Sequence, residues 1–291
     1  MSSRNLINLA LFCLAGLLIL IIVYRPGIAP EPASQALTAL TGNGITRIQV
    51  TRTSRDPLLF TRHANNWVLA GNSELPASNF QIHSLLDILQ ARPARSYPAD
   101  SLDLETLGLK PPQATLVLDE TRLEIGLTDA LDNMRYVLTG DTVFLVADKY
   151  QHLINADWSS FVERKLLPAN SKLTRLQLPD LELSLTAADA WQLSPADPAI
   201  SADTLAALVS NWEQVTAYYV RRHDDSTGGE KIILEHSTAA EPVTFQIVAQ
   251  TPELILARPD LGIQYHLQGT MVQTLLALPA GTQETDTGTT D

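Results

Sequence analysis

Cysteine is nearly absent: the 291 residues carry one, Cys13, so the chain can form neither an internal disulfide nor a cysteine-based zinc site. Positive charge is also scarce. Lys and Arg total 20 against 32 Asp and Glu, a net charge of −12, and a nucleic-acid interface needs a basic surface. Nucleic acid is therefore excluded as a partner on any large scale. Catalytic signatures are missing as well. The chain has no HExxH, no GxSxG elbow, no GxxxxGK(S/T) loop and no GxGxxG following a strand, which removes the zincin, α/β-hydrolase, P-loop and dinucleotide-binding readings. At 45% hydrophobic and 18% charged the composition fits neither a disordered chain nor a polytopic membrane protein.

What is present begins with one apolar run, Leu6 to Val23, in which Asn8 is the only strongly polar member. Eighteen residues of helix span roughly 27 Å, close to the hydrocarbon thickness of a bilayer. A cleaved secretory signal has an apolar core of about 7–15 residues and a small-residue cleavage site. This run is longer, leads into Tyr24-Arg25-Pro26, and has Leu11-Phe12 before Cys13 where a lipoprotein would need small residues. The expectation is an uncleaved single-pass anchor over residues 6–24 in contact with the lipid bilayer. Residues 1–5 form a cytoplasmic tip, since Arg4 and the terminal amine favour that side. The bulk of the chain is then periplasmic, in a bacterial inner membrane.

Beyond a Pro- and Ala-containing linker, 25–43, the sequence repeats. Ile45–Val50 (ITRIQV) is answered by Leu173–Leu178 (LTRLQL), both alternating as half-buried strands do. Leu58-Leu-Phe-Thr and Leu181-Glu-Leu-Ser-Leu follow, then Trp67-Val-Leu and Trp191-Gln-Leu. Ser78 and Ser201 stand at N-cap positions, with Gln81 completing a capping box. Helical stripes come next: Ile82, Leu85, Leu86 and Leu89 in one half, Leu205, Leu208, Trp212 and Val215 in the other. About four antiparallel strands and a terminal helix close each half. The predicted fold class is α+β: an N-terminal transmembrane helix followed by two tandem copies of an antiparallel-sheet-plus-helices unit. The first copy covers 44–168 with a connector helix around Asp157 to Leu167, the second 169–279, and the Thr-, Gly- and Asp-rich tail 280–291 is expected to be disordered.

The search for chemistry yields little. The metal candidate is His223-Asp224-Asp225 with Glu235-His236, which converge if Ser226 to Glu230 forms a hairpin turn; a solvated turn is the competing reading. Calcium would want more carboxylates at loop spacing. Ser159-Ser160 has no His or Asp at a useful spacing, and Asp119-Glu120 is one of many acidic pairs. Trp67 and Trp191 recur at matching positions and read as core rather than stacking platforms. Glu163-Arg164-Lys165 reads as the polar face of the connector helix or as a docking patch. No catalytic, cofactor-binding or metal-binding residue is assigned.

The anchor, the Trp followed by a Ser-capped helix, Leu107-Gly-Leu-Lys-Pro-Pro-Gln-Ala-Thr-Leu116, Arg122-Leu-Glu-Ile-Gly and Glu163-Arg164-Lys165-Leu166-Leu167 together resemble the domain-of-unknown-function 4340 family, best over residues 45–180. Members of that family are similar to envelope proteins accompanying ABC-type transport systems related to gliding-motility auxiliary components. The resemblance brings no catalytic residues. It implies a non-enzymatic accessory or scaffold role, with integral membrane proteins, ABC transporter subunits among them, as partners. The alternatives are a binding module for a small molecule or envelope polymer in the cleft between the copies, and a hydrolase using His223, Asp224 or His236.

Overall fold

A computed structural model describes residues 14–16, 36–71, 73–223, 228–237 and 241–278. Alternation of apolar and polar residues dominates them. In β1 (Arg47–Arg52) Ile48, Val50 and Arg52 turn inward. β2 (Arg55–His63), β3 (Asn66–Leu69) and β4 (Leu75–Ala77) follow, then helix α1 (Asn79–Leu86) and β5 (Arg95–Pro98). β6 (Ala114–Leu118), β7 (Thr121–Thr128), β8 (Met134–Thr139) and β9 (Thr142–Ala147) lead to the one-turn helices α2 (Gln151–Ile154) and α3 (Trp158–Phe161). The second half runs β10 (Leu173–Gln177), β11 (Glu182–Leu185), β12 (Trp191–Ser194), α4 (Ala202–Gln214), β13 (Tyr219–Arg222), β14 (Lys231–His236), β15 (Val243–Ala249), β16 (Glu253–Arg258), β17 (Ile263–Gln268) and α5 (Met271–Leu275).

Among the described residues the strands form two antiparallel sheets, ordered β4-β3-β2-β1-β6-β7-β8-β9-β5 and β12-β11-β10-β14-β15-β16-β17-β13. Position by position the orders coincide, with β4 as the surplus strand of the first sheet. In each, the chain leaves one edge, runs through its helix and returns at the opposite edge. Each sheet buries one face, so its strands alternate inward and outward. Phe60 meets Phe161 at 5.0 Å between ring centroids, and Phe245 packs between Trp212 and Tyr265 at 6.2 and 6.0 Å. The buried Trp212 indole donates to the Leu275 carbonyl at 2.9 Å.

This architecture corrects the predicted class. The fold is mainly β. The longest helix among the described residues is the 13-residue α4, and none is long and apolar enough to cross a membrane. The helical stripes read from sequence are real but short, while alternating segments supply most of the regular secondary structure among the described residues. The expected anchor over 6–24 lies outside the described residues except for 14–16, as do the tail 280–291 and most of the linker 25–43.

Two local expectations also change. Ser78 is an N-cap by position, yet its side chain makes no capping bond, whereas Ser201 accepts from the Thr204 amide at 3.2 Å. The connector is helical only over Trp158–Phe161; beyond it Val162 bridges Ala77 and Lys165 bridges Thr216. Its backbone is drawn into extended form because it completes hydrogen bonds at the edges of both sheets.

Arg135, on β8, is held by four bonds: Nε and Nη2 grip the Asp148 carboxylate at 2.9 and 2.8 Å, Nη2 also reaches Thr128 Oγ1, and Nη1 donates to the Gly126 carbonyl at 2.7 Å. Hydrogen bonds from Arg135 hold the Asp148 carboxyl below the usual carboxylate range, against the opposing effect of burial. A depressed carboxylate contributes stability that is complete above its unfolded value, near about 4, and is lost as pH falls through the lower folded value. Asp148→Asn should therefore lower stability at pH 7 by about 3 kcal/mol, and the variant's acid denaturation curve should lack this carboxylate's contribution below about pH 4. Chemical denaturation across pH checks both.

Gly228 and Gly229 provide a second, paired test. A Cβ at 229 would stand 2.0 Å from the Ile247 carbonyl oxygen, while one at 228 meets nothing within 4 Å. Gly229→Ala should cost about 1–3 kcal/mol by overpacking, and Gly228→Ala should stay within about 0.5 kcal/mol, both read as denaturation midpoints.

Candidate functional site

The metal candidate does not assemble. His223 follows β13 and Glu235-His236 end β14, and β15, β16 and β17 lie between those two strands. The hairpin that would have joined them is not formed, because β13 pairs with β17 and β14 with β10 and β15. Asp224 and Asp225 lie outside the described residues. Glu235 accepts from Arg175 at 3.1 Å, and burial pushes the His236 imidazole pKa down. Among the described residues no three His, Cys, Asp or Glu side chains are placed to hold a metal ion.

The remaining sequence candidates serve the fold. Asp119, at the β6–β7 turn with φ 50°, accepts from the Thr46 and Arg47 amides at 3.2 and 2.8 Å. Ser159-Ser160 sit in α3. Arg164 belongs to the extended connector and donates to the Tyr218 carbonyl at 3.0 Å, so the charged triplet is no helix face. Trp67 is buried and Trp191 half-buried.

The structure instead builds a cleft of about 790 Å³ whose lining includes Arg52, Arg55, Asp56, Asp157, Trp158 and Arg222. Four parts of the chain meet there: the β1–β2 turn, the end of β3 at Leu69-Ala70, the connector, and the end of β13. Arg52 occupies the next inward position after Ile48 and Val50, so the sheet's own periodicity points an arginine toward the core, where it is only 8% exposed. Its Nη1 donates to the Ala156 carbonyl and its Nη2 to the Asp56 carbonyl at 2.9 Å. Arg55 donates to the Asn155 carbonyl. The cations thus satisfy carbonyls left open at the C-terminal end of α2, where the helix dipole also favours positive charge. This fixes the backbone just ahead of Trp158, and Arg222 stacks on that indole with its guanidinium carbon 4.1 Å from the ring centroid.

Arg52 differs from Arg135 in what it leaves open. Its Nε is buried without a hydrogen-bond partner, and none of Arg52, Arg55 and Arg222 makes an ion pair with a carboxylate among the described residues. Burial, then the neighbouring Arg55, pulls the Arg52 pKa below its ordinary value, while Asp157 and Asp56 act in the opposite sense. Among the described residues, three cations against two carboxylates leave the lining one charge positive in a strongly acidic chain. Guanidinium groups hold carboxylate or phosphate oxygens in a planar fork and keep their protons at neutral pH. The cleft is chemically suited to grip an anion, and its arginines are poor general acids or bases. None of the three arginines lies in a recognisable motif; the one signal in the sequence is Arg52 continuing the inward alternation of Ile48 and Val50.

A second polar group lies on the second sheet. Glu253 Oε2 accepts from Tyr219 Oη and from His266 Nδ1, both at 2.9 Å, and the Gln264 amide nitrogen stands 2.9 Å from His266 Nε2. Hydrogen bonds from His266 and then Tyr219 hold the Glu253 carboxyl below the usual range. The Tyr219 ring stacks on the imidazole at 4.4 Å. Both nitrogens of His266 are occupied, and the Gln264 side-chain oxygen stands 3.3 Å from His223 Nδ1, which extends the network to the end of β13.

No curated protein and no solved structure matches the chain. The family model described as "Domain of unknown function (DUF4340)" matches residues 67–227, more than half of the 291. That span takes in most of the first sheet, the connector and the start of the second sheet. The chain belongs to the DUF4340 family.

Proposed function

We propose that the chain is a non-enzymatic recognition module that takes an anionic group into the arginine cleft where its two repeats and the connector meet, and that it serves a membrane-bound transport system as an accessory component. The observation that carries the reading is the convergence of Arg52, Arg55 and Arg222 on one concave site without an ion-pair partner among the described residues. Arginine binds and orients oxyanions but does not exchange protons near pH 7, which favours recognition over catalysis. The excess of one positive charge among the described lining residues fits a singly charged carboxylate or phosphate diester.

The cellular setting is supported by sequence. The apolar run over 6–24 and the family resemblance favour a bacterial inner-membrane location with the bulk in the periplasm. They also favour integral membrane proteins, ABC transporter subunits in particular, as partners.

A ligand that binds only the folded form raises the melting temperature, by about 2.7 kcal/mol of stabilisation at one hundred times its Kd. The full chain in mild detergent should be stabilised by acetate or by a phosphate diester at constant ionic strength. The double variant Arg55→Gln/Arg222→Gln, folded by circular dichroism, should lose that shift. Equal shifts in the variant and the native chain, or none from any of these anions, would contradict the reading.

A further inference from the structure

The two repeats differ at one edge, and the difference identifies a second binding place, independent of the cleft. In the first sheet β4 lies on β3 with Leu69 opposite Leu75, Val68 opposite Pro76 and Trp67 opposite Ala77. Leu75 and Ala77 are buried by this pairing, and Trp67 beside them is 1% exposed. The second sheet stops at β12, the counterpart of β3. Residues 195–200 run as turns and bends, so among the described residues no strand covers the outer edge of β12. Trp191, the counterpart of Trp67, is left half-buried beside a groove of about 480 Å³ lined by Trp191, Leu193, Pro198, Ile200 and Leu205.

The backbone of β12 is turned outward in the same sense. Thr186 donates to the Ala190 carbonyl at 2.9 Å and closes the β11–β12 hairpin. From that pair, the alternation of an antiparallel ladder assigns Gln192 and Ser194 to bonds with β11 and points the N–H and C=O of Trp191 and Leu193 at the open edge. In the first repeat the corresponding Trp67 and Leu69 face β4. Pro76 lies at the alternate position, where no donor toward β3 is needed, and its carbonyl accepts from the Glu163 amide at 2.8 Å on the far side.

We propose that β12 is a strand-addition site for an extended segment of a partner protein. The segment pairs antiparallel to Trp191–Ser194 and places a bulky aliphatic residue opposite Leu193 and a small residue two positions later opposite Trp191. The occupant's pattern is the one the first repeat supplies for itself, Leu75-Pro76-Ala77. Main-chain bonds hold such a segment and side-chain pockets at alternate positions select it. A second copy of the chain is a poorer occupant, because each copy brings a net charge of −12 to the contact and like charges oppose association.

The test uses the full chain and a fluorescently labelled peptide with the sequence of residues 73–79, SELPASN. Saturable anisotropy is expected. Binding should fall at least tenfold when the peptide's alanine nitrogen is methylated, when its leucine is replaced by Asp, or when the protein carries Trp191→Arg. Circular dichroism of the variant confirms its fold. Equal binding of the methylated peptide would overturn strand pairing. Binding undiminished by Trp191→Arg would move the site away from β12, and absence of binding at millimolar peptide would end the proposal. A dimer by light scattering that Trp191→Arg converts to monomer would give the edge to a second copy and overturn the partner assignment. None of these results bears on anion binding by the cleft.

Discussion

The connector between the two sheets is hydrogen-bonded to both of them, and most of the molecule's functional geometry follows from that. Ser78 donates to the Phe161 carbonyl at 2.7 Å, Glu163 to Pro76 at 2.8 Å, and Ala217 to Arg164 at 2.9 Å. One short run of backbone therefore closes the β4 edge of the first sheet and meets the residues leading into β13 of the second. A segment so engaged cannot be helical along its length, since its donors and acceptors are already committed across the chain. Its entry is fixed by Arg52 and Arg55 on the carbonyls of residues 154–156, and this sets Trp158 where Arg222 can cover it. Among the described residues no strand lies on the outer edges of β5, β12 and β13. β5 is protected in the usual ways: its four residues are exposed, it carries Pro98, and Arg95 pairs with Asp132. β12 makes no ion pair among the described residues, and the groove beside it is lined mostly by apolar side chains.

The inward arginines show how one residue type takes different roles. Arg135 has a bidentate carboxylate, a hydroxyl and a carbonyl, so its charge is matched by a bonded carboxylate. Arg52 is comparably buried, but its partners are main-chain carbonyls and its charge is not matched by a bonded carboxylate. Leaving a buried cation short of partners is costly. Such a group is informative about what the site is built to receive.

Much of the strand framework is legible in the amino-acid sequence, because period-two alternation is a direct consequence of burying one sheet face. The matched segments Ile45–Val50 and Leu173–Leu178 fall on β1 and β10, which hold the same place in the two sheets. The edge strands β5 and β13 were not legible. Arg95–Pro98 is exposed at all four positions and Tyr219–Arg222 buries only Val220, so neither carries a period. Without them the return of the chain across each sheet is invisible, and the balance between helix and sheet is misjudged. The hairpin imagined between His223 and Glu235 failed for the same reason: register between distant strands is a tertiary property. The cleft was hidden because its parts, Arg52, Trp158 and Arg222, are far apart in the chain and form no motif.

Hydrogen exchange at the amides of Ser78, Glu163 and Ala217 tests the central claim most directly, since these three donors join the connector to both sheets. If the connector is part of one cooperative unit, they exchange through global unfolding, as slowly as the amides of central strand residues such as Val50 and Leu234. Exchange of all three at the rate of exposed loop amides, with the central strands still protected, would show that the connector is not the element on which the two sheets depend.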